Sequence, residues 1–204
     1  MPEEYVLELC RPNCPKAARN WSSLVKGLES GLSQLGIGNA LKRKFGVVQY
    51  HHLPKISVAG CPNGCSRPQI KDLGMIGYVE PGWDKGLCNG CQGCVAACLE
   101  EALAWNGKEI LIDALRCLQC GDCLRVCPTG ALSPGKTGWR LLQGGRVGRH
   151  PRFAEVSGAA AEDQEAEAWA LSAITRYFQE SLPGERLSFF LERLHLAERT
   201  AERD

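Results

Sequence analysis

The residues best suited to chemistry are twelve cysteines in a chain of 204 residues. Eight fall in two runs of the form C-x2-C-x2-C-x3-C: Cys88, Cys91, Cys94 and Cys98, then Cys117, Cys120, Cys123 and Cys127, with Pro128 following the last. In such a run three closely spaced thiolates wrap one face of an iron–sulfur cubane, and a remote thiolate closes the cage. The fourth cysteine of each run serves the other cluster. The expected sets are therefore Cys88, Cys91, Cys94 and Cys127 for one [4Fe–4S] cluster, and Cys98, Cys117, Cys120 and Cys123 for the second. A zinc ribbon would carry paired cysteines instead. A secreted disulfide scaffold is also a poor match: such chains are usually shorter, and Met1–Cys10 has two glutamates with neither a basic nor an apolar signal region. Four cysteines remain, Cys10, Cys14, Cys61 and Cys65, which is the number one further cubane requires.

The segment Cys88–Cys127 resembles bacterial-type two-cluster ferredoxins, with Leu99 standing where a proline usually follows the first run. Residues 60–68 read GCPNGCSRP, and Asn63-Gly64 permits a sharp turn that points both thiolates the same way. Backbone N–H groups beside such a turn can donate to cluster sulfurs. GCPNGCSRP followed by DLGMIGYVE at 72–80 resembles the siroheme-binding domain of sulfite and nitrite reductases. The stretch LLQGGRVGRHPR at 141–152 is similar to the glycine- and arginine-rich segment that follows an inserted ferredoxin in those enzymes.

That resemblance implies an α+β fold, a sulfite/nitrite reductase-like domain over residues 1–82 and 135–204 with a ferredoxin inserted over 83–134. It implies a cubane on Cys10, Cys14, Cys61 and Cys65, with Cys65 bridging to siroheme iron. Asn63, Arg146 and Arg149 would serve the siroheme, and Arg67 and Arg146 a small oxyanion substrate such as sulfite or nitrite. The chain departs from the family in spacing its first pair C-x3-C rather than C-x5-C. Only nine residues precede Cys10, where the family carries a further region supplying basic residues to siroheme and substrate. Arg11, Lys16, Arg19, Lys71 and Arg152 are further basic residues near the motifs, whereas Lys42-Arg43-Lys44 reads as a solvated or partner-facing loop and His51 and His52 are remote candidates. Three functions stay open: a siroheme reductase, an electron-transfer protein with three cubanes and no siroheme, and a partial subunit that a partner or a second copy completes. Each needs an electron-donor protein.

The elements that must position these residues are legible in outline. Ala17, Trp21, Leu24, Val25, Leu28, Leu32 and Leu35 predict an amphipathic helix over 15–35, ended by Gly36 and Gly38. Lys55–Ala59 predicts a strand delivering Cys61 into its turn, and Asp72–Glu80 a second strand, with Pro81-Gly82 as linker. Asn106-Gly107 predicts a type I′ hairpin between the two cysteine runs. Residues 135–160 read as loop and short strand, and 161–181 and 183–203 as helices, Pro183 in a first turn. His195 beside the second helix's stripe reads as structural. Composition is that of a globular protein, 44% hydrophobic and 23% charged, with a net charge of +1 that gives no pull toward nucleic acid or membrane. No apolar run approaches a membrane span, and the expected location is the cytoplasm.

Overall fold

The computed structural model describes residues 4–201. In chain order the elements are β1 (Val6–Leu9), α1 (Ser22–Gln34), α2 (Ile37–Phe45), β2 (Lys55–Ala59), β3 (Leu73–Trp83), α3 (Gly93–Ala97), β4 (Leu103–Trp105), β5 (Ile110–Ile112), α4 (Asp122–Arg125), β6 (Leu132–Gln143), β7 (Glu155–Ala160), α5 (Asp163–Glu180) and α6 (Leu187–Ala201). The main sheet has the order β1-β2-β3-β6-β7, parallel across the first three strands and antiparallel across the rest. Leu24, Leu28, Leu32, Leu41, Ile174, Phe190 and Leu191 of the helices pool with Ile56, Val58, Leu73, Met75 and Trp139 of the strands in one apolar core. Among the described residues no helix is long and apolar enough to cross a membrane.

The first helix starts at Ser22, not at residue 15. The amides of Ala18 and Arg19 both donate to Gly60 O, at 2.8 and 2.9 Å, and Cys10 N donates to Val58 O. These bonds hold residues 10–21 as a loop against the end of β2, and tertiary pairing overrides the local periodicity. Arg19 is drawn inward, its guanidinium on Asp163 Oδ1 at 3.0 Å and on Ala161 O.

No linker forms at Pro81-Gly82, because β3 runs through both residues to Trp83 and pairs with β6, itself a twelve-residue strand where loop and a short strand are expected. Pro81 stands opposite Pro134 beside a register shift, and β7 pairs with β6 only from Trp139 onward. Two prolines are tolerated there because this stretch of β6 has a sheet neighbour on one side alone. Residues 84–131 thus hang from the far end of the β3–β6 pair.

The Asn106-Gly107 turn is not type I′. Of the two, only Gly107 has positive φ, at 90°, while Asn106 Oδ1 accepts from the amides of Lys108 and Glu109. Pro183-Gly184 form a turn ahead of α6 rather than its first turn. Lys42-Arg43-Lys44 close α2, where Lys44 Nζ donates to Ser181 Oγ and Leu182 O. His52 stacks on Phe45 at 4.0 Å, and His195 pairs with Glu155.

Candidate iron–sulfur centre

Parallel strands β1 and β2 end side by side, Leu9 in register with Val58, so the chain leaves them carrying Cys10 and Cys61 together. Gly60 N donates to Cys10 Sγ at 3.2 Å. After Cys61 the chain turns at once, Gly64 N bonding Cys61 O with Gly64 at φ 58°, and a second turn closes from Arg67 N to Gly64 O. Asn63 Nδ2 donates to Cys65 Sγ at 3.0 Å. Asn13 at φ 51° makes the tight return that C-x3-C requires between Cys10 and Cys14. Burial pushes the Cys61 thiol up, and the neighbouring Cys14, Cys10 and Cys65 push it further. The four sulfurs are thus near neighbours, and Cys65 is the exposed one.

The other eight cysteines ring two cavities. Cys88, Cys91, Cys94 and Cys127 line one, together with Trp83 and Leu132. Cys98, Cys117, Cys120 and Cys123 line the other, a space of about 270 Å³. The halves repeat in backbone as well as sequence. Gly90 and Gln119, Gln92 and Gly121, and Glu101 and Gly130 occupy matching positions, all left-handed. The α3 and α4 turns each begin after one such residue and bury one cysteine, Cys94 or Cys123. Ala102 N donates to Cys98 Sγ and Leu132 N to Cys127 Sγ, both at 3.3 Å. Burial, then Cys117 and Cys120, push the Cys123 thiol to about 11, while the Leu132 amide holds Cys127 below the usual thiol range. Burial of Cys94 and Cys123 disfavours their bare thiolates, so the donor set fits a cationic iron cluster that compensates thiolate charge. Among the described residues no three Cys, His, Asp or Glu side chains converge closely enough for a single ion.

The second cavity adjoins the first constellation. Pro62 and Asn63, two of the three residues between Cys61 and Cys65, line the same space as Cys98, Cys117, Cys120 and Cys123. The loop bearing Cys14 is fastened to α4: Arg125 Nη2 donates to Lys16 O at 2.7 Å and Ala17 O at 3.3 Å, and Asp122 Oδ1 accepts from both Arg125 and Lys16. Val79 N further donates to Gln119 O. Nothing periodic in the sequence marks Lys16, Asp122 and Arg125 as a unit; only their charges do.

The arginines are placed differently. Arg67 is left-handed at φ 58° and pairs through Nη2 with Glu8 at 3.3 Å; Lys71 pairs with the same carboxylate. Arg146 bonds Glu192 of α6 at 2.6 Å and His150 O, and stacks on Phe189. Arg152 lies 3.2 Å from Glu192 Oε1 and pairs with Glu155. Arg149 is exposed on the loop between Arg146 and Arg152. Arg146, Arg67 and Lys71 are thus engaged by carboxylates of the same chain, with Arg67 and Lys71 sharing Glu8, while Arg149 is exposed; so engaged, Arg146, Arg67 and Lys71 fit a polyanionic macrocycle poorly.

Over 119 residues, 52% of this chain, it is 31% identical to the dissimilatory-type sulfite reductase subunit beta of Archaeoglobus fulgidus, of which the match spans 32%. Over 64 residues, 29% of this chain and 19% of the relative, it is 38% identical to a subunit of the anaerobic sulfite reductase of Salmonella typhimurium. Among solved structures, dissimilatory sulfite reductase I superposes with a TM-score of 0.59 at 19% identity, covering 92% of this chain and 49% of that one. The chain therefore spans half or less of these relatives' length. The family model described as the nitrite and sulphite reductase 4Fe-4S domain matches residues 5–202, and the chain belongs to that family of iron–sulfur oxidoreductases.

Proposed function

We propose that this chain is the electron-relaying part of a sulfite- or nitrite-reductase-type oxidoreductase, with three [4Fe–4S] clusters held in series. When bound, the clusters supply one-electron transfer, with no bond made or broken in the protein. The electron source is a low-potential donor protein, and the direction of relay is toward Cys65. One observation carries this order: Pro62 and Asn63 line the cavity ringed by Cys98, Cys117, Cys120 and Cys123. The set on Cys88, Cys91, Cys94 and Cys127 then stands first and the set on Cys10, Cys14, Cys61 and Cys65 last. Arg125 and Asp122 hold the second and third sets together, and the Asn63 amide orients Cys65. Cysteines that ligate clusters must be kept from oxidation to disulfides, which supports a reducing compartment such as the cytoplasm.

In this reading the anion site is completed by a partner subunit. Arg146 bonds Glu192, and Arg67 and Lys71 share Glu8, so in this reading most of the positive charge for siroheme carboxylates and a small oxyanion comes from the partner. The relatives named as subunits support such an assembly. Siroheme added anaerobically to the purified chain should therefore wash out on desalting, leaving the broad iron–sulfur absorption, and Arg146→Ala with Arg149→Ala should not change that result. Stoichiometric siroheme retention by the chain alone, with sulfite or nitrite reduction from a chemical donor, would overturn the partner assignment.

A further inference from the structure

Two of the chain's tryptophans present their indole N–H to the interior in contrasting ways. Trp139 is fully buried and its Nε1 donates to Asp163 Oδ1 at 2.8 Å. Trp83 Nε1 is buried with no partner in the protein. Leaving such a donor unmade costs about 1–3 kcal/mol, and buried indoles are ordinarily satisfied. Trp83 lies at the end of β3, packs on the apolar cluster around Cys94 and Leu132, and lines the cavity ringed by Cys88, Cys91, Cys94 and Cys127. The acceptors that belong in that cavity are sulfurs.

The internal repeat supplies a comparison within the same molecule. Trp83 pairs with Leu132 across β3 and β6 as Ile112 pairs with Leu103 across β4 and β5, and Leu103 and Leu132 hold matching places after their cysteine runs. Leu103 lines the second cavity as Leu132 lines the first. Where one half has an indole N–H, the other has a side chain without a polar atom. The backbone donors Ala102 and Leu132 are otherwise balanced, each serving the last cysteine of its run at 3.3 Å.

We infer that Trp83 Nε1 donates a hydrogen bond to a sulfur of the cubane held by Cys88, Cys91, Cys94 and Cys127, and thereby makes it the more readily reduced of the ferredoxin pair. This rests on the ferredoxin part of the proposed function. Reduction adds one electron and one negative charge to that cubane, with no bond broken. A donor aimed at sulfur strengthens as the acceptor becomes more negative, and so favours the reduced state. The cubane farther from Cys61 and Cys65 then fills first, as the electron-receiving end of the relay requires. Trp83 is a positioning and tuning residue; it is not a ligand.

The test uses the anaerobically purified full chain with nitrogen-15 in its indoles. Pulsed electron paramagnetic resonance of the one-electron-reduced protein should show an indole nitrogen coupled to the reduced cluster. Trp83→Phe should abolish the coupling, and Trp105→Phe, an aromatic ring packed in the same apolar cluster, should keep it. At the ambient potential that half-reduces this cubane in the unaltered protein, Trp83→Phe should lower its reduced-to-oxidised ratio several-fold; a tenfold fall corresponds to about 59 mV for a one-electron couple. Absence of coupling in the unaltered protein, or coupling and potential both unchanged in Trp83→Phe, overturns the inference. If Trp83→Phe fails to keep its cluster, the coupling in the unaltered protein still decides. An iron count showing no cubane in this cavity would instead overturn the ferredoxin reading beneath it.

Discussion

Arg125 is the residue whose loss should most cleanly separate the segment of residues 84–131 from the Cys10–Cys14 loop. Its side chain is 29% exposed, donates to Asp122 Oδ1 at 2.8 Å, and reaches Lys16 O at 2.7 Å and Ala17 O at 3.3 Å. Hydrogen bonds to charged groups contribute about 1.5–3 kcal/mol each. Discounting for partial exposure and for the side-chain entropy that Arg125 gives up, we expect Arg125→Ala to weaken the docking by about 2–3 kcal/mol. At about 1.4 kcal/mol per factor of ten, that is roughly a 30- to 150-fold rise in local opening. Lys16 offers an internal control. Its side chain is 66% exposed and makes the same kind of ion pair with Asp122, at 2.9 Å. Such a pair contributes about 0.5 kcal/mol, so Lys16→Ala should change opening by only about two- or threefold. Hydrogen exchange read by mass spectrometry on peptides covering residues 14–20 and 119–127 measures both. Equal effects of the two variants, or no change in Arg125→Ala, would refute the docking argument.

Gly77 and Asp72 give two further expectations. A Cβ at Gly77 would sit 2.7 Å from Gly60 O and 3.0 Å from Arg19 Cβ, so Gly77→Ala should push apart the strand end that delivers Cys61 and lose about a third of the iron, with the ferredoxin resonance signals kept; Gly82→Ala, meeting nothing nearer than 3.4 Å, should keep all of it. Unchanged iron in Gly77→Ala would contradict the packing. Burial pushes the Asp72 carboxyl from 3.8 up to about 6, against the pull of Lys55. The folded state therefore holds this proton longer than the unfolded chain, and stability from this group falls as pH rises from about 4 to 6 and then levels, by about 3 kcal/mol in all. Asp72→Asn should remove that slope in anaerobic denaturant titrations, and a wild-type-minus-variant difference that stays flat across pH 4.5 to 7.5 would refute it.

What the sequence reveals follows from how local each signal is. Strand β2 is legible at its observed bounds because Lys55–Ala59 is a short β-branched run ended by glycine, and the stripe of α1 is legible from Leu24 through Leu32. The start of α1 is not, because the bonds that unwind residues 15–21 end on Gly60 O, far along the chain. Strand β6 is hidden by Pro134, Gly135 and Gly138, residues that ordinarily mark loops and are accommodated here by the β3 partner. The left-handed positions of the cysteine repeat alternate glycine with glutamine or glutamate, so a search for glycines finds half of them. The grouping of cysteines needs only spacing, but the fate of the arginines depends on Glu8 and Glu192, whose proximity no local pattern announces.

The central claim, that all twelve cysteines hold three clusters in series, is tested most directly by iron and acid-labile sulfide per chain in the anaerobically purified protein, with free thiols titrated in parallel. The account predicts about twelve irons, about twelve sulfides and no reactive thiol. About eight irons with four thiols open to alkylation at Cys10, Cys14, Cys61 and Cys65 would contradict it.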